Sequence, residues 1–414
     1  MQIKKLKLEN FRGIEEQEIE LLPNINVFVG INGSGKSTIL DAIAISLSWL
    51  VEGIQKIESQ GKDIPENSIK KGEDYSSITL KVIENGQEYQ WENVEFRRGY
   101  PADKSSNLLQ LNQLAYDYQK KYKKNNQLPM IAYYPINRVA KGIVDIRGSE
   151  SISQLDVYDN ALGTKANFQS FFEWFRLQDD IVNEQYTYDN RDNYKKELNL
   201  IAQTIEKFIP EYKNLRVTRI PTPRMLIEKN GETLNLNQLS DGEKNMIAMV
   251  GDIARRLSMA NPNMPNPLEG DGVVMIDEVD LHLHPSWQRL IITRLVEVFP
   301  NTQFIVTTHS PQILSHLRAE NIFLLRQEND NISVTKPTES YGKSSDRQLE
   351  DILGVEARPL EIKKDLDKLF KLIQDMKLKE AKELMSKLEN RIEGREVELV
   401  KANVLIQRKE ILGK

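Results

Sequence analysis

Apolar positions near the start of the chain alternate with polar ones: Ile3, then Leu6 and Leu8, then Ile19 and Leu21. This period of two predicts two strands before residue 25. The run I25-N-V-F-V29 reads as a third, buried strand. Beyond residue 38 the period changes. Ile39, Leu40, Ile43, Ala44 and Leu47 recur at helical spacing, so a one-sided helix follows. Alternation returns from Ser77 to Trp91 on both sides of Asn85-Gly86, a dipeptide that favours a two-residue hairpin turn, and Asn230-Gly231 marks a second hairpin. Residues 105–127 carry a helical pattern ending in K120-K-Y-K-K124, and M130-I-A-Y-Y-P-I-N-R138 reads as an apolar strand running into a turn. Between about 165 and 210, two helical patterns, one carrying F168-Q-S-F-F-E-W-F175, flank the tyrosine-rich segment N183–R191 and predict a short helical insertion. Three prolines within residues 261–267 exclude both helix and central strand. From about Pro359 nearly half of the residues are charged, with apolar stripes at Ala381, Leu384, Met385, Leu388 and Ile392 and at Val397, Val400 and Val404. Two or three amphipathic helices fit this stretch, as a cap on the chain's own head or as a platform for another protein.

Length and composition narrow the class without choosing a function. A chain of 414 residues is long enough for a large core and two or three domains. A net charge of −5 opposes uniform coating by nucleic acid, although the basic run at 120–124, with Arg97 and Arg98, leaves a local basic face open. With no cysteine there is neither disulfide nor thiolate chemistry. No apolar run approaches the roughly 20 residues that span a bilayer, and the first ten residues lack the apolar core of a signal peptide. A cytoplasmic protein with no membrane partner is the expectation.

The chemistry begins at G30-I-N-G-S-G-K-S-T38. A strand that ends in glycines and runs into a helix points backbone N–H groups into one concavity, which is an anion site. Gly30, Gly33 and Gly35 allow the turns, with Asn32, Ser34 and Thr38 completing the loop. Lys36 can reach β- and γ-phosphates, and the Ser37 hydroxyl can ligate Mg²⁺. Farther on, G272-V-V-M-I-D-E278 is an apolar strand ending in two acids: Asp277 suits a Mg²⁺ shell, and Glu278 suits the polarisation of an attacking water. F304-I-V-T-T-H-S310 is a second buried strand, ending at His309. A metal pair at His282 and His284 is conceivable but lacks obvious further ligands. In L239-S-D-G-E-K244, Ser240 reads as a helix N-cap with Glu243 three residues on, and Met246, Val250, Ile253 and Leu257 form the stripe of the helix that follows. The same end presents a hydroxyl and a helix N-terminus to an anion, which could be a phosphate held by another subunit.

Together the phosphate loop, the segment Leu239 to Lys244, the acidic strand Val273 to Glu278 with the VDLHLHP stretch from Val279 to Pro285, and T307-T-H-S310 resemble the ATP-binding-cassette heads of the RecF and SMC group, as does L8-E-N-F-R-G13. The resemblance implies an α/β head of the P-loop NTPase type with an antiparallel β lobe over residues 1–355, the helical insertion, and a C-terminal α-helical extension over 356–414. It places Ser240, Asp241, Gly242 and Glu243 in the signature motif, Asp280 in the D-loop and His309 at the switch position. ATP and Mg²⁺ are the implied cofactors, and a homodimer sandwiching ATP between its heads is the implied assembly, with a higher homo-oligomer open. Asp241 and Glu243 depart from the transporter-type signature, where Gly and Gln stand; aspartate tolerates left-handed backbone, so the turn can survive. No Q-loop glutamine is evident, and Y133-Y-P-I-N-R138 occupies its place.

A narrower likeness lies in A260-N-P-N263, in the segments Asp280 to Gln288 and Tyr341 to Glu350, and in Gln407 to Lys414, which resemble the ATPase subunit of the Septu anti-phage system and ATPases that accompany some retrons. In those systems the ATPase works with a small HNH nuclease. The resemblance implies a regulatory ATPase that senses infection and controls such a partner. The alternative is a RecF-like, DNA-binding clamp acting in repair.

Overall fold

The computed structural model describes residues 1–55, 61–101, 103–136, 153–163, 168–183, 191–220, 222 and 224–412. It divides into two compact units, Met1–Lys343 and Ser344–Lys414. The first unit opens with strands β1 (Gln2–Phe11), β2 (Ile14–Glu20) and β3 (Ile25–Val29), followed by helix α1 (Lys36–Gln55). Next come β4 (Tyr75–Glu84), β5 (Gln87–Phe96), α2 (Leu109–Asn125) and β6 (Met130–Tyr134). The insertion supplies α3 (Phe168–Asn183) and α4 (Arg191–Phe208), before β7 (Tyr212–Thr218), β8 (Arg224–Lys229), β9 (Glu232–Asn235) and α5 (Asp241–Ala260). The unit closes with β10 (Gly272–Ile276), α6 (Pro285–Gln288), α7 (Ile291–Val298), β11 (Thr302–Thr308), α8 (Pro311–Leu314), β12 (Ile322–Glu328) and β13 (Asn331–Thr335).

Two sheets account for the two kinds of apolar pattern. An antiparallel sheet in the order β2-β1-β4-β5 buries one face only, so its strands alternate. The expected alternation slips between Ile3 and Leu6, and there the register shifts between Ile3 and Lys5, a bulge that returns Leu6 and Leu8 to the core face opposite Leu80 and Ile78. Its tight turn has left-handed Asn85 and Gly86, and the same pair of conformations recurs at Asn230 and Gly231 between β8 and β9. The larger sheet runs β13-β12-β3-β11-β10-β6 and is parallel except for β13. Strands β3, β6, β10 and β11 are buried at every position, which is why each reads as a continuous apolar run. The β12–β13 hairpin, turned at left-handed Asn329, and strand β7 are absent from the sequence expectation.

Helix α1 is long and apolar enough to cross a membrane, but 72% of its most apolar stretch is buried inside the protein. It is the core helix that leaves the phosphate loop. In the insertion, α3 and α4 pack on α5. Gly251 makes the notch for this contact: a methyl group there would overlap the ring of Phe171. Asn137 and Arg138, and the polar stretch 184–190, lie outside the described residues.

A buried polar knot ties α5 to β6. Asp252 accepts bonds from Arg255 at 2.6 and 3.0 Å, from Arg256 at 2.8 Å and from the Tyr134 hydroxyl at 2.8 Å. Burial opposes its charge, but Arg256 and Arg255 outweigh burial and hold the carboxyl well below the usual range. Arg256 also donates to the carbonyls of Val157 and Asp159.

The second unit holds α9 (Ser345–Asp351), α10 (Leu360–Gln374), α11 (Leu378–Arg391) and α12 (Val397–Leu412). Residues 344–355, which the sequence reading assigns to the head, group with this unit. Leu366, Leu369, Ile373, Ala381, Leu388, Leu399, Ala402 and Ile406 form its core, with Leu384, Met385 and Ile392 packed against it. The expected stripe on α11 is therefore a core face. The stripe Val397, Val400 and Val404 instead faces solvent, and α12 packs through Leu399, Ala402 and Ile406. Both faces of α12 are apolar, so periodicity alone cannot choose between them.

Candidate functional site

The order β3-β11-β10 sets three carboxyl ends side by side. Parallel sheets collect their ligand-facing loops at that edge. From β3 the chain enters the loop at Gly30, where a Cβ would overlap the Ser34 hydroxyl and lie 2.7 Å from the Leu325 carbonyl oxygen. Gly35, at φ +92°, gives the left-handed turn that lets α1 begin at Lys36. Lys36 folds back over the loop and donates to the carbonyls of Gly30 at 3.1 Å and Ile31 at 3.0 Å. Asn32 and Gly33 are exposed at the tip, Ser37 is half-buried and Thr38 buried in the first turn. The Ser34 hydroxyl is buried without a hydrogen-bond partner among the described residues. Such an orphan is costly, and a phosphate oxygen would satisfy it, so the cradle fits a nucleotide.

From β10 the acids follow. Asp277 is buried and donates its N–H to the Tyr134 carbonyl at 2.9 Å. Two threonines of β11 hold this turn. Thr307 Oγ1 donates to the Asp277 carboxylate and accepts from the Glu278 N–H at 2.7 Å, while Thr308 Oγ1 donates to Asp280. Glu278 is left-handed, at φ +48°, an uncommon state for a side chain this large. The turn brings its Oε1 to 3.7 Å from His309 Nε2. Burial pushes His309 below its ordinary value and Lys36 adds to that shift, against the pull of Asp280, Glu278 and Asp277. Burial likewise pushes Lys36 down, against Glu278, Asp277 and Asp280. Lys36, Asp277, Glu278, Asp280 and His309 thus share one electrostatic neighbourhood. Thr307→Val, which keeps the shape and removes both bonds, is expected to lower ATP turnover ~10-fold while the fold persists, as loss of an outer-shell partner does. A steady-state assay beside a melting curve checks this, and an unchanged rate would take Thr307 out of the positioning role.

Ser240 caps α5 as the sequence predicts: its Oγ accepts from the Glu243 N–H, and its own N–H donates to Glu243 Oε2 at 2.7 Å. Burial opposes the charge of Glu243, but Lys229, Tyr212 and Ser240 outweigh it and hold the carboxyl at about 2. The left-handed backbone allowed for at Asp241 is not used. Asp241 opens the helix and pairs with Lys244 at 2.8 Å, and the left-handed residues fall instead at Glu278 and His282. Gly242 packs face-on against the His282 carbonyl, where a Cβ would overlap it. Among the described residues, the contacts of Ser240–Glu243 run to Lys229, Tyr212, Lys244 and His282, and none runs to the phosphate loop.

Other candidates have structural partners. His284 caps α6 and lies 2.8 Å from Ser286 Oγ, and no three His, Asp or Glu gather as a metal site among the described residues. A Mg²⁺ shell completed by phosphate oxygens and water needs fewer protein ligands, and Ser37 and Asp277 would supply them. The Arg97 guanidinium is taken up by the carbonyls of Glu73, Ile69 and Lys70, and the pairing of Lys121 with Glu84 offsets one charge of the basic run at 120–124. The sequence reading missed the clamp of Thr307 and Thr308, although both threonines stand in the quoted T307-T-H-S310. It also missed Asp41, which accepts from Arg12 at 2.7 Å and from the Tyr133 hydroxyl at 3.0 Å. No local signal joins residues so far apart.

The family described as "AAA domain, putative AbiEii toxin, Type IV TA system" matches residues 25–315. The chain is 32% identical to the retron Ec83 probable ATPase of Escherichia coli over 91% of its own length and 80% of that protein. It is also 32% identical to the retron Vc95 probable ATPase of Vibrio cholerae, over 78% of this chain and 73% of the relative. To the Septu protein PtuA of Bacillus thuringiensis it is 22% identical over 86% and 84%. Among solved structures, an SMC head bound to the C-winged helix domain of ScpA superimposes with a TM-score of 0.50 at 18% identity, covering 81% of this chain and 98% of that one. The shared fold is that of an SMC-type ATPase head.

Proposed function

This chain belongs to the AAA-domain family that its sequence matches, alongside the retron-associated ATPases, and from that premise we propose an ATP-hydrolysing regulatory subunit of a cytoplasmic anti-phage defence complex. Its heads pair around ATP, and the pairing controls a separate, small HNH nuclease. The convergence of Lys36, Glu278 and His309 at one sheet edge carries this reading, since it assembles charge stabilisation and a base beside a phosphate cradle.

Gly30–Thr38 bind the phosphates through backbone N–H groups and the Ser34 hydroxyl, and Lys36 exchanges its two carbonyl partners for phosphate oxygens. Bound Mg²⁺, held by Ser37 and Asp277, would neutralise charge on the phosphate oxygens. Glu278, turned out of β10 by its left-handed backbone, orients a water and accepts its proton. His309 stays neutral and donates a hydrogen bond toward the terminal phosphate. Ser240 bonds to Glu243 and, among the described residues, has no bond to its own phosphate loop, which supports its use by a second head. If each of two such sites sits at ~100 times its Kd, each contributes about 2.7 kcal/mol to pairing. Moving the heads from mostly open to mostly closed takes about 5.5 kcal/mol, so two nucleotides are about enough and one is not.

Because His309 is pushed below its ordinary value, it takes a proton only below the pH at which a free imidazole does. The profile of kcat/KM against pH is therefore expected to stay flat down to about pH 6.5 and to fall below it, with His309→Gln removing that fall. A bend above pH 6.5 would contradict a neutralising site. The partner is tested by mass spectrometry of proteins that co-purify with the tagged chain from its native host. A small nuclease in fixed stoichiometry supports the defence reading. DNA-stimulated hydrolysis with steep salt dependence, and no protein partner, would replace it with a DNA clamp.

A further inference from the structure

Helix α12 is apolar on two sides. Leu399, Ala402 and Ile406 close the core of the second unit, while Val397, Val400, Val404 and Ile411 remain 64, 56, 58 and 75% exposed. The exposed set follows a spacing of three, four and seven, which is the a and d seam of a two-stranded coiled coil, with Gln407 as the one polar residue in that seam. Burying one side of α12 leaves a second apolar seam exposed, and that outer seam calls for a cover.

The flanking charges identify the cover. With Val397, Val404 and Ile411 at a, Glu396 stands at g and Lys401 and Arg408 stand at e. In a parallel pair, g of one helix faces e of the next heptad on the other, which sets Glu396 against Lys401 of a second copy on both sides of the seam. An antiparallel pair of copies would instead face e with e and g with g, lysine and arginine against their own kind. Arg358 lies 2.8 Å from Glu398 and 3.7 Å from Glu396, and Glu396 also accepts from the Glu398 N–H at 3.4 Å, so pairing with a second copy exchanges the longer Arg358 contact for Lys401. We infer that α12 is a self-association helix, which pairs in parallel with α12 of a second copy through Val397, Val400, Val404 and Ile411.

This contact needs no nucleotide and is separate from the ATP-dependent pairing of heads proposed above. The chain has no cysteine, so a single introduced thiol reports on one place. Full-length Val397→Cys and Ile411→Cys mark opposite ends of the seam, about 21 Å apart along the helix. In nucleotide-free buffer, each variant alone is expected to form a disulfide-linked dimer on mild oxidation. Cross-linking only when the two variants are mixed would overturn the parallel orientation. A chain that sediments as a monomer without nucleotide and cross-links in neither variant would overturn the inference. In the same buffer, Lys401→Glu is expected to weaken pairing at least 10-fold, and mixing it with Glu396→Lys to restore a heterodimer. Pairing indifferent to both charges would remove the argument for a second copy.

Discussion

Glu278→Gln is expected to cut ATP turnover by ~10²–10⁴-fold while nucleotide binding persists. The substitution removes the base and little else. The backbone N–H of residue 278 still meets Thr307, and the amide fills the volume of the carboxylate. With hydrolysis blocked, nothing breaks the nucleotide-held contact, so the variant should accumulate as paired heads in ATP and as open heads in ADP. Sedimentation in the two nucleotides reads this as an ATP-dependent increment when the chain also carries Lys401→Glu, which weakens the nucleotide-independent pairing of α12. A variant that turns over ATP at the native rate would remove Glu278 from the role of base. One that hydrolyses slowly but shows no ATP-dependent association would remove the shared site instead.

Gly242→Ala is expected to cost ~10²-fold in turnover without unfolding the chain, and the reason lies inside one subunit. A methyl group at 242 overlaps the His282 carbonyl, which belongs to the left-handed turn that follows Asp280. Relief requires about 1 Å of movement between the start of α5 and that turn, enough to misplace groups acting on a transferring phosphate. Both elements that the proposed dimer presents to its partner would then shift at once. ATP binding to the isolated head, measured by fluorescent nucleotide titration, should stay near native because the phosphate loop lies elsewhere. Equal loss of binding and turnover would place the damage in the fold rather than in the closure.

The phosphate loop, the acidic strand, the helix capped by Ser240 and both Asn-Gly hairpins were legible because each is contiguous chemistry, complete within a dozen residues. The parallel sheet was legible as apolar runs, although its strand order was not. What stayed hidden is what the fold joins across distance. Thr307 and Thr308 look like ordinary strand residues until β11 sets them beside Asp277, Glu278 and Asp280. Asp41 is one polar residue on an apolar helix until Arg12 and Tyr133 converge on it. The β12–β13 hairpin was missed because its turn, Asn329-Asp330, lacks the glycine that marked the other two. On α12 the pattern was real and its direction was not, since leucine and isoleucine on one side outcompete valine on the other for the core.

Phe171 seated in the notch at Gly251 gives the insertion a mechanical meaning. A close-packed interior transmits strain, and this ring engages α5 midway between its Ser240 cap and the loop beyond Ala260. One turn from that ring, Trp174 lies over Arg255, a member of the knot that binds α5 to Tyr134, whose carbonyl holds the Asp277 N–H. Load applied to α3 therefore has a rigid path to the acidic strand and another to the Ser240 end, with α5 as the beam. Any molecule that grips the insertion has leverage on the acidic turn and on the Ser240 cap, the two parts of the proposed nucleotide site, without approaching either one.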